Sequence, residues 1–354
     1  PVATVYLAAS SAAAEDAPSR LSLRWRSLRT DLETQGADER ALAAIDERLS
    51  QERPGGLDET GRVLVASEAG VLLDESAATA LVAGDQSRWS RPPYLSPFVR
   101  HRARTCVALV AVADHQGAEL RVVEVTPEDR PNPVAGERVE TDGAAPKPRG
   151  QALSHRHIQQ RAENAAHESA EKIAQRLARM VAETEPTVVV LAGEVQARTA
   201  IHHQAPPTVA ERVVEAEGGG RGEGVSNGDL DGEIQDIASR VLKERTERTM
   251  EAFGTRRAHG RAVEGLHAVA TAASLGAIDT LLLEDGAERR QLWSGIAPEE
   301  IGVQEPDGRR AESVDAASAL LRACATTDTE VEGLPAGAGF TDNVGALLRF
   351  PLPS

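Results

Sequence analysis

Thr105-Cys-Val-Ala-Leu-Val-Ala-Val-Ala-Asp-His-Gln-Gly-Ala-Glu-Leu-Arg-Val-Val-Glu-Val125 carries the clearest secondary-structure pattern in the chain. Two Val-rich runs flank Asp114-His115-Gln116-Gly117, a turn composition, so strands are expected over Thr105–Ala113 and Ala118–Val125, joined as a hairpin. Downstream, Ser154–Glu183 places Ile158, Ala162, Ala165, Ala166, Ser169, Ile173, Leu177 and Met180/Val181 on one face of a long helix. Pro186 ends it. Thr187–Ala192 reads as a buried strand, Gly193 as the turn into a helix over Val195–His203, and Arg212–Glu215 as a last short strand. Hairpin, helix, strand, helix, strand is an α/β pattern.

Between hairpin and helix lies Gly143-Ala-Ala-Pro-Lys-Pro-Arg-Gly-Gln-Ala-Leu-Ser-His-Arg-His-Ile-Gln-Gln-Arg-Ala162, which holds four Lys/Arg, two His and no acid. The whole chain carries 55 Asp+Glu against 39 Lys+Arg, a net charge of −16, so an acid-free basic segment stands out. Pro146, Pro148 and Gly150 make it a loop, with Gln151 just ahead of the helix. Such a loop suits contact with RNA. The overall acidity argues against a protein that coats nucleic acid indiscriminately, DNA included. Three further basic clusters contain no acid within their spans: Arg20, Arg24, Arg26 and Arg29; Arg88, Arg91, Arg100, Arg102 and Arg104; Arg256, Arg257 and Arg261. Together with the loop they are expected to form either a distributed RNA footprint or ordinary solvated surface.

A chain of 354 residues allows two or three domains. Aromatics make up 3%, so Ala and Val must fill most of the core. Residues 1–103 read as a first unit: a strand over Val2–Ala8, helices over Ser19–Gln35 and Asp38–Gln51, a hairpin of Gly61–Ser67 and Gly70–Leu73, and an extended linker Arg91–Pro97. Residues 104–216 form the second unit. Residues 217–228, rich in Gly, read as a flexible linker. Residues 229–354 form the third, with helices over Asp229–Phe253, Arg261–Leu275 and Val314–Ala325 and strands over Ala277–Leu283, Thr329–Gly333 and Gly345–Phe350.

Candidate chemistry elsewhere is sparse. Cys106 sits in an apolar run and reads as a buried thiol; with Cys324 distant in sequence, no disulfide framework is expected, which fits a reducing cytoplasm. No apolar run is long enough to span a membrane, and no basic segment followed by an apolar stretch announces a secretory leader. His155 and His157 lack a nearby third metal ligand, and His202-His203 reads as a pair at a helix C-terminus. Asp114, with Glu124 and Glu194, could form a nuclease-type carboxylate set; a turn-forming Asp114 is the simpler reading. Neither metal nor cofactor is expected.

The order of elements resembles the middle domain of the archaeal/eukaryotic class-1 release factor and Pelota-like superfamily, whose release factors carry Gly-Gly-Gln on a loop between a hairpin and a long basic helix. Lys147-Pro148-Arg149-Gly150-Gln151 stands in that place, with Arg149 at one glycine position. The C-terminal third resembles the same superfamily: Ala262 to Asp285, containing Gly276-Ala-Ile-Asp-Thr-Leu-Leu-Leu283, is similar to its Gly-Ala-Val-Asp/Glu-Thr-Leu-Leu-Ile segment, and Gly345-Ala-Leu-Leu-Arg-Phe350 to its closing strand. The resemblance covers roughly residues 104–354. It implies a central ribonuclease-H-like α/β domain and a C-terminal α/β/α domain of release-factor/Pelota type; residues 1–103, read as an N-terminal α/β domain, match nothing in the superfamily and lack its decoding motif, and complete an α/β chain of three domains.

The bacterial branch of that superfamily includes Balon-type ribosome hibernation factors, described as lacking an intact triplet. The implied function is therefore occupancy of the ribosomal A site, with elongation factor Tu as an implied partner. Lys147, Arg149, Gly150, Gln151, His155, Arg156, His157 and Arg161 would contact rRNA. If the chain were instead a peptidyl-tRNA hydrolase or rescue factor, Gln151 would be its catalytic residue. Arg149 weighs against that, because a non-glycine residue costs on the order of 1 kcal/mol where φ must be positive. A protein-interaction module without RNA contact is the remaining reading.

Overall fold

The computed structural model describes residues 1–8, 17–51, 61–77, 81, 84–126, 131–140, 155–219, 228–305 and 310–353. The chain divides into two compact units: Pro1–Arg104 with Thr246–Ser354, and Thr105–Arg245. In chain terms the second unit is an insertion in the first.

The first unit opens with strand β1 (Val2–Leu7), helices α1 (Ala17–Thr34) and α2 (Glu39–Ser50), strands β2 (Gly61–Ser67), β3 (Gly70–Ala77) and β4 (Gln86–Ser90), and helix α3 (Ser96–Arg104). The sheet runs β3-β2-β1-β4, all antiparallel. Ala3, Val5 and Leu7 alternate onto one face with Leu64 and Ala66, where Leu28, Leu32, Leu42 and Ile45 of the helices cover them. Asp38 caps α2 by accepting from the Arg40 amide at 2.8 Å. The segment Arg91–Pro97 is not wholly a linker: it gives way at Ser96 to α3, with Pro97 in the first turn, where its missing N–H costs nothing.

The inserted unit follows: β5 (Cys106–Asp114), β6 (Gly117–Val125), β7 (Asn132–Glu140), α4 (His155–Thr184), β8 (Val188–Gly193), α5 (Val195–Gln204), α6 (Pro207–Ala210), β9 (Val213–Glu215) and α7 (Gly228–Ala258). Its sheet runs β7-β6-β5-β8-β9. The hairpin β5–β6 and the pair β6–β7 are antiparallel, and β8 and β9 run parallel to β5. That order and those directions are the ribonuclease-H-type arrangement. Both faces are covered. Leu109, Ala111, Ala113, Val189 and Leu191 pack with Ala170, Ile173, Leu177 and Met180 of α4 and Ile201 of α5. The alternate residues Cys106, Ala108, Val110, Val188, Val190 and Ala192 pack with Leu230, Ile234, Ile237 and Ala238 of α7. Burial on both faces is why the two central strands read as continuous apolar runs. At the start of the Gly-rich stretch, the Glu217 and Gly218 amides donate to the Glu233 carboxylate at 2.7 and 2.8 Å. Residues 220–227 lie outside the described residues.

The boundary between the units falls within α7. Beyond it the first unit resumes with β10 (Ala262–Glu264), α8 (Leu266–Ser274), β11 (Ile278–Glu284), β12 (Gln291–Gly295), β13 (Ile301–Gly302), β14 (Ala311–Asp315), α9 (Ala316–Cys324), β15 (Glu330–Leu334) and β16 (Val344–Leu348). Its main sheet runs β10-β16-β11-β15, with β11 and β15 parallel. Helices α8 and α9 cover one face through Val269, Ala273, Ala319 and Leu320, and Phe253 of α7 helps cover the other beside Leu282, Phe340 and Leu347.

One helix expectation needs correcting: Arg261–Leu275 is not continuous. Ala262–Glu264 pair with Gly345–Leu347 as a strand, and Gly265 at φ 85° turns the chain into α8. The small antiparallel sheet β13-β12-β14 was not anticipated. Among the described residues no helix is long and apolar enough to cross a membrane.

Candidate nucleic-acid interface

The basic segment singled out in the sequence has two stems, β7 before it and α4 after it. Lys147, Arg149, Gly150 and Gln151 lie outside the described residues. His155, Arg156, His157 and Arg161 belong to the first turns of α4, and their side chains also lie outside what is described. What the structure does place is the support. Asn164, Ala166, His167 and Glu168 are exposed, and the first buried side chain described on α4 is Ala170. Fifteen residues at 1.5 Å each put the start of the helix about 22 Å from that point.

Strand β7 is the edge of its sheet and exposes most of its residues. Two alternate positions, Glu137 and Val139, are less exposed. Val139 packs against the α4-side core. Glu137 accepts from Arg176 of α4, Nη2 to Oε2 at 2.8 Å, with the second prong from Nε. The bond from Arg176 holds the Glu137 carboxyl below the ordinary glutamate range, and the same pair raises the Arg176 guanidinium. Nothing in the sequence pointed to Glu137, because Asn132–Glu140 carries too little apolar alternation to declare a strand.

The other three basic clusters are not the acid-free patches their sequence spans imply. Arg24 pairs with Asp85, its Nε at 2.7 Å, and Arg29 reaches Glu33, Glu39 and Asp46 at 3.0, 2.6 and 2.5 Å. Arg88 lies 3.8 Å over the Tyr94 ring and 3.9 Å from Asp315. Arg100 pairs with Asp285 at 3.3 Å and with Glu288, and Arg104 meets Asp285 at 3.0 Å. Arg256 and Arg257 pair with Asp279 and Glu264 at 2.7 and 2.6 Å. Acids outside each span thus pair with Arg24, Arg29, Arg88, Arg100, Arg104, Arg256 and Arg257, so composition within a span overstates the free positive charge of these clusters.

The carboxylate candidates also find local roles. Asp114 Oδ1 accepts from the amides of Gln116 and Gly117 at 2.7 and 3.1 Å, closing the hairpin turn. Glu194 lies 3.6 Å from His115 and precedes α5. Among the described residues no three His, Cys, Asp or Glu side chains converge as metal ligands. His202, in the last turn of α5, faces Glu215 at 3.7 Å. Cys106 and Cys324 are free and buried.

Residues 107–259 match the sequence profile described as bacterial archaeo-eukaryotic release factor family 2. Through this segment the chain is similar to the bacterial branch of the archaeo-eukaryotic release factors. The match spans the sheet of the inserted unit, both stems of the basic segment and all of α7. The chain is 26% identical over 360 residues to an uncharacterized protein of Mycobacterium tuberculosis, an alignment covering 95% of this chain and 90% of that one. Among solved structures it is similar to the archaeal translation termination factor aRF1, at 14% identity over 99% of this chain and 92% of that one, with a TM-score of 0.26. It is likewise similar to Saccharomyces cerevisiae Dom34, a translation termination-like factor, at 12% identity over 84% and 82% of the two chains, with a TM-score of 0.45.

Proposed function

We propose that this chain is a cytoplasmic, ribosome-binding translation factor of the release-factor class that occupies the A site without releasing peptide, in the manner of Balon-type hibernation factors. The observation that supports this most is the order hairpin, basic segment, long helix inside a region matched by a release-factor family. In this reading Lys147, Arg149, Gly150, His155, Arg156, His157 and Arg161 bind rRNA phosphates and sugars, and Gln151 hydrogen-bonds at the tip. Elongation factor Tu is the partner that the Balon-type resemblance implies. The action is steric: a protein in the place of tRNA blocks elongation. No cofactor or metal takes part.

Arg149 favours the non-catalytic form, because its bulk and charge occupy a position where release factors use glycine for close backbone approach. The retained Gln151 is the one observation favouring a second reading, a peptidyl-tRNA hydrolase or rescue factor.

Co-sedimentation with 70S ribosomes at two salt concentrations tests binding. Replacing Arg149 and Arg156 with Ala together is expected to weaken pelleting and to lower the slope of log affinity against log salt by roughly two. Unchanged pelleting would refute the role of the segment. Incubation with ribosomes carrying labelled peptidyl-tRNA separates the two readings: release that Gln151→Ala abolishes would establish the hydrolase.

A further inference from the structure

The chain passes from the first unit into the inserted one at Arg104–Thr105 and returns within α7, across Arg245–Thr246. The two crossings are built differently. The return is continuous helix, and just past the boundary it is anchored to the main C-terminal sheet: Thr249 Oγ1 donates to Glu332 of β15 at 2.7 Å, and Phe253 stacks edge-on against Phe340 with ring centroids 4.8 Å apart. The outgoing crossing is α3, nine residues long, whose only buried residues are Ser96 and Pro97.

Polar contacts hold α3 in place. Arg100 pairs with Asp285 at 3.3 Å and with Glu288, and Arg104 Nη1 with Asp285 at 3.0 Å. Ser96 Oγ lies 3.3 Å from Asp315, the residue that also caps α9 through the Ser318 amide at 2.9 Å. The helix backbone rests directly on β15 at Gly333, where a Cβ would stand 3.0 Å from the Arg100 carbonyl oxygen and 3.0 Å from the Arg104 Cγ. Exposure of the four charged side chains runs from 18% to 35%, so dissolved ions reach the pairs. Helices are ordinarily fixed by a buried apolar face; the apolar Phe98, Val99 and Ala103 of this one are only half-buried, and the charge pairs that supplement them weaken, at such exposure, as salt screens them.

We propose that α3 is a salt-responsive clasp: it docks on β15 through Arg100, Arg104 and the bare Gly333, and it releases as one piece while the three sheets of the first unit stay folded. Released, residues 91–104 could extend over as much as ~50 Å. The clasp is independent of what the basic segment binds.

Amide hydrogen exchange on the full chain, read peptide by peptide, tests this. In the wild type, raising NaCl from about 50 to about 500 mM, across which the Debye length falls severalfold, is expected to speed exchange of residues 96–104 roughly fivefold. Exchange in β11 and β16 is expected to stay unchanged. Arg100→Glu should produce the faster exchange at low salt, and adding Glu288→Arg should restore protection. Gly333→Val, which leaves every charge in place and drives a side chain under the helix, should open the clasp without needing salt. Exchange of 96–104 that ignores salt, or that always moves in step with β11, would overturn the proposal. The salt titration needs no variant, so a substitution that fails to fold leaves the test intact.

Discussion

Gly193 crosses Ala113 so closely that a Cβ on it would lie 2.2 Å from the Ala113 carbonyl oxygen. The two residues end the parallel pair β5–β8, and the Glu194 amide donates to that same oxygen at 2.8 Å. Gly193 is also at φ 95°, where an L side chain is strained. Neither partner can retreat, because the obstruction is backbone in the centre of the sheet. Gly193→Ala is therefore expected to destabilise the chain by about 3 kcal/mol or more, read as a lower urea midpoint. Gly254→Ala is the control: Gly254 is exposed within α7 and a Cβ there meets nothing within 4 Å. It should stabilise by about 0.5–1 kcal/mol.

Glu284, at the end of β11, is buried and accepts from the Gly337 amide at 2.7 Å and the Phe340 amide at 3.1 Å. It fixes the turn that delivers Phe340 to Phe253. Glu284→Ala leaves two backbone donors without an acceptor and should cost about 3 kcal/mol. Glu284→Gln keeps one acceptor oxygen and should fall between. Denaturant melts of the three proteins give the order directly.

The central sheet was legible because β5 and β8 are apolar on both faces, and only a strand covered by helices on each side carries such a run. α4 was legible through the spacing of Ile173, Leu177 and Met180. β10 was not: Ala262–Glu264 joins an Ala-rich helix seamlessly in sequence, and only its pairing partner in β16 makes it a strand. α3 escaped notice because Pro92, Pro93 and Pro97 read as extended chain, whereas Pro97 lies in the first turn of a helix. The basic clusters misled for a related reason. Counting acids within a span ignores those the fold brings in from elsewhere, as Asp285 and Glu288 come to Arg100. At the candidate interface, the composition of residues 143–162 pointed to the segment, while the brace between Glu137 and Arg176 joins positions 39 residues apart and leaves no trace in local pattern.

Burial pushes the thiols of Cys106 and Cys324 up to about 11. The thiolate is the nucleophile, so at pH 8 both should alkylate about a hundredfold or more slowly in the native chain than an ordinary cysteine of pKa near 8.5. Mass spectrometry after a timed iodoacetamide pulse should find native protein unlabelled and urea-unfolded protein labelled twice. Prompt native labelling of either residue would show that its strand or helix opens readily.

The Glu137–Arg176 pair predicts a pH dependence with a definite sign. Hydrogen bonding from Arg176 lowers the Glu137 carboxyl in the folded chain relative to the unfolded one, where it lies near the usual value of about 4.3. A depressed folded value means that stability from this pair is fully present above the unfolded value and disappears as pH falls through the folded one. Wild type should therefore exceed Glu137→Gln in stability at pH 7, and the gap should close as the pH falls below about 4. Arg176→Gln should show the same closure, since either substitution removes the same bond, and the double variant should be no less stable than the sum of the singles implies. Urea titrations at pH 7, 5 and 3.5 would read the trend. A gap that stays constant with pH would mean that the ionised form of Glu137 contributes nothing to holding β7 to α4.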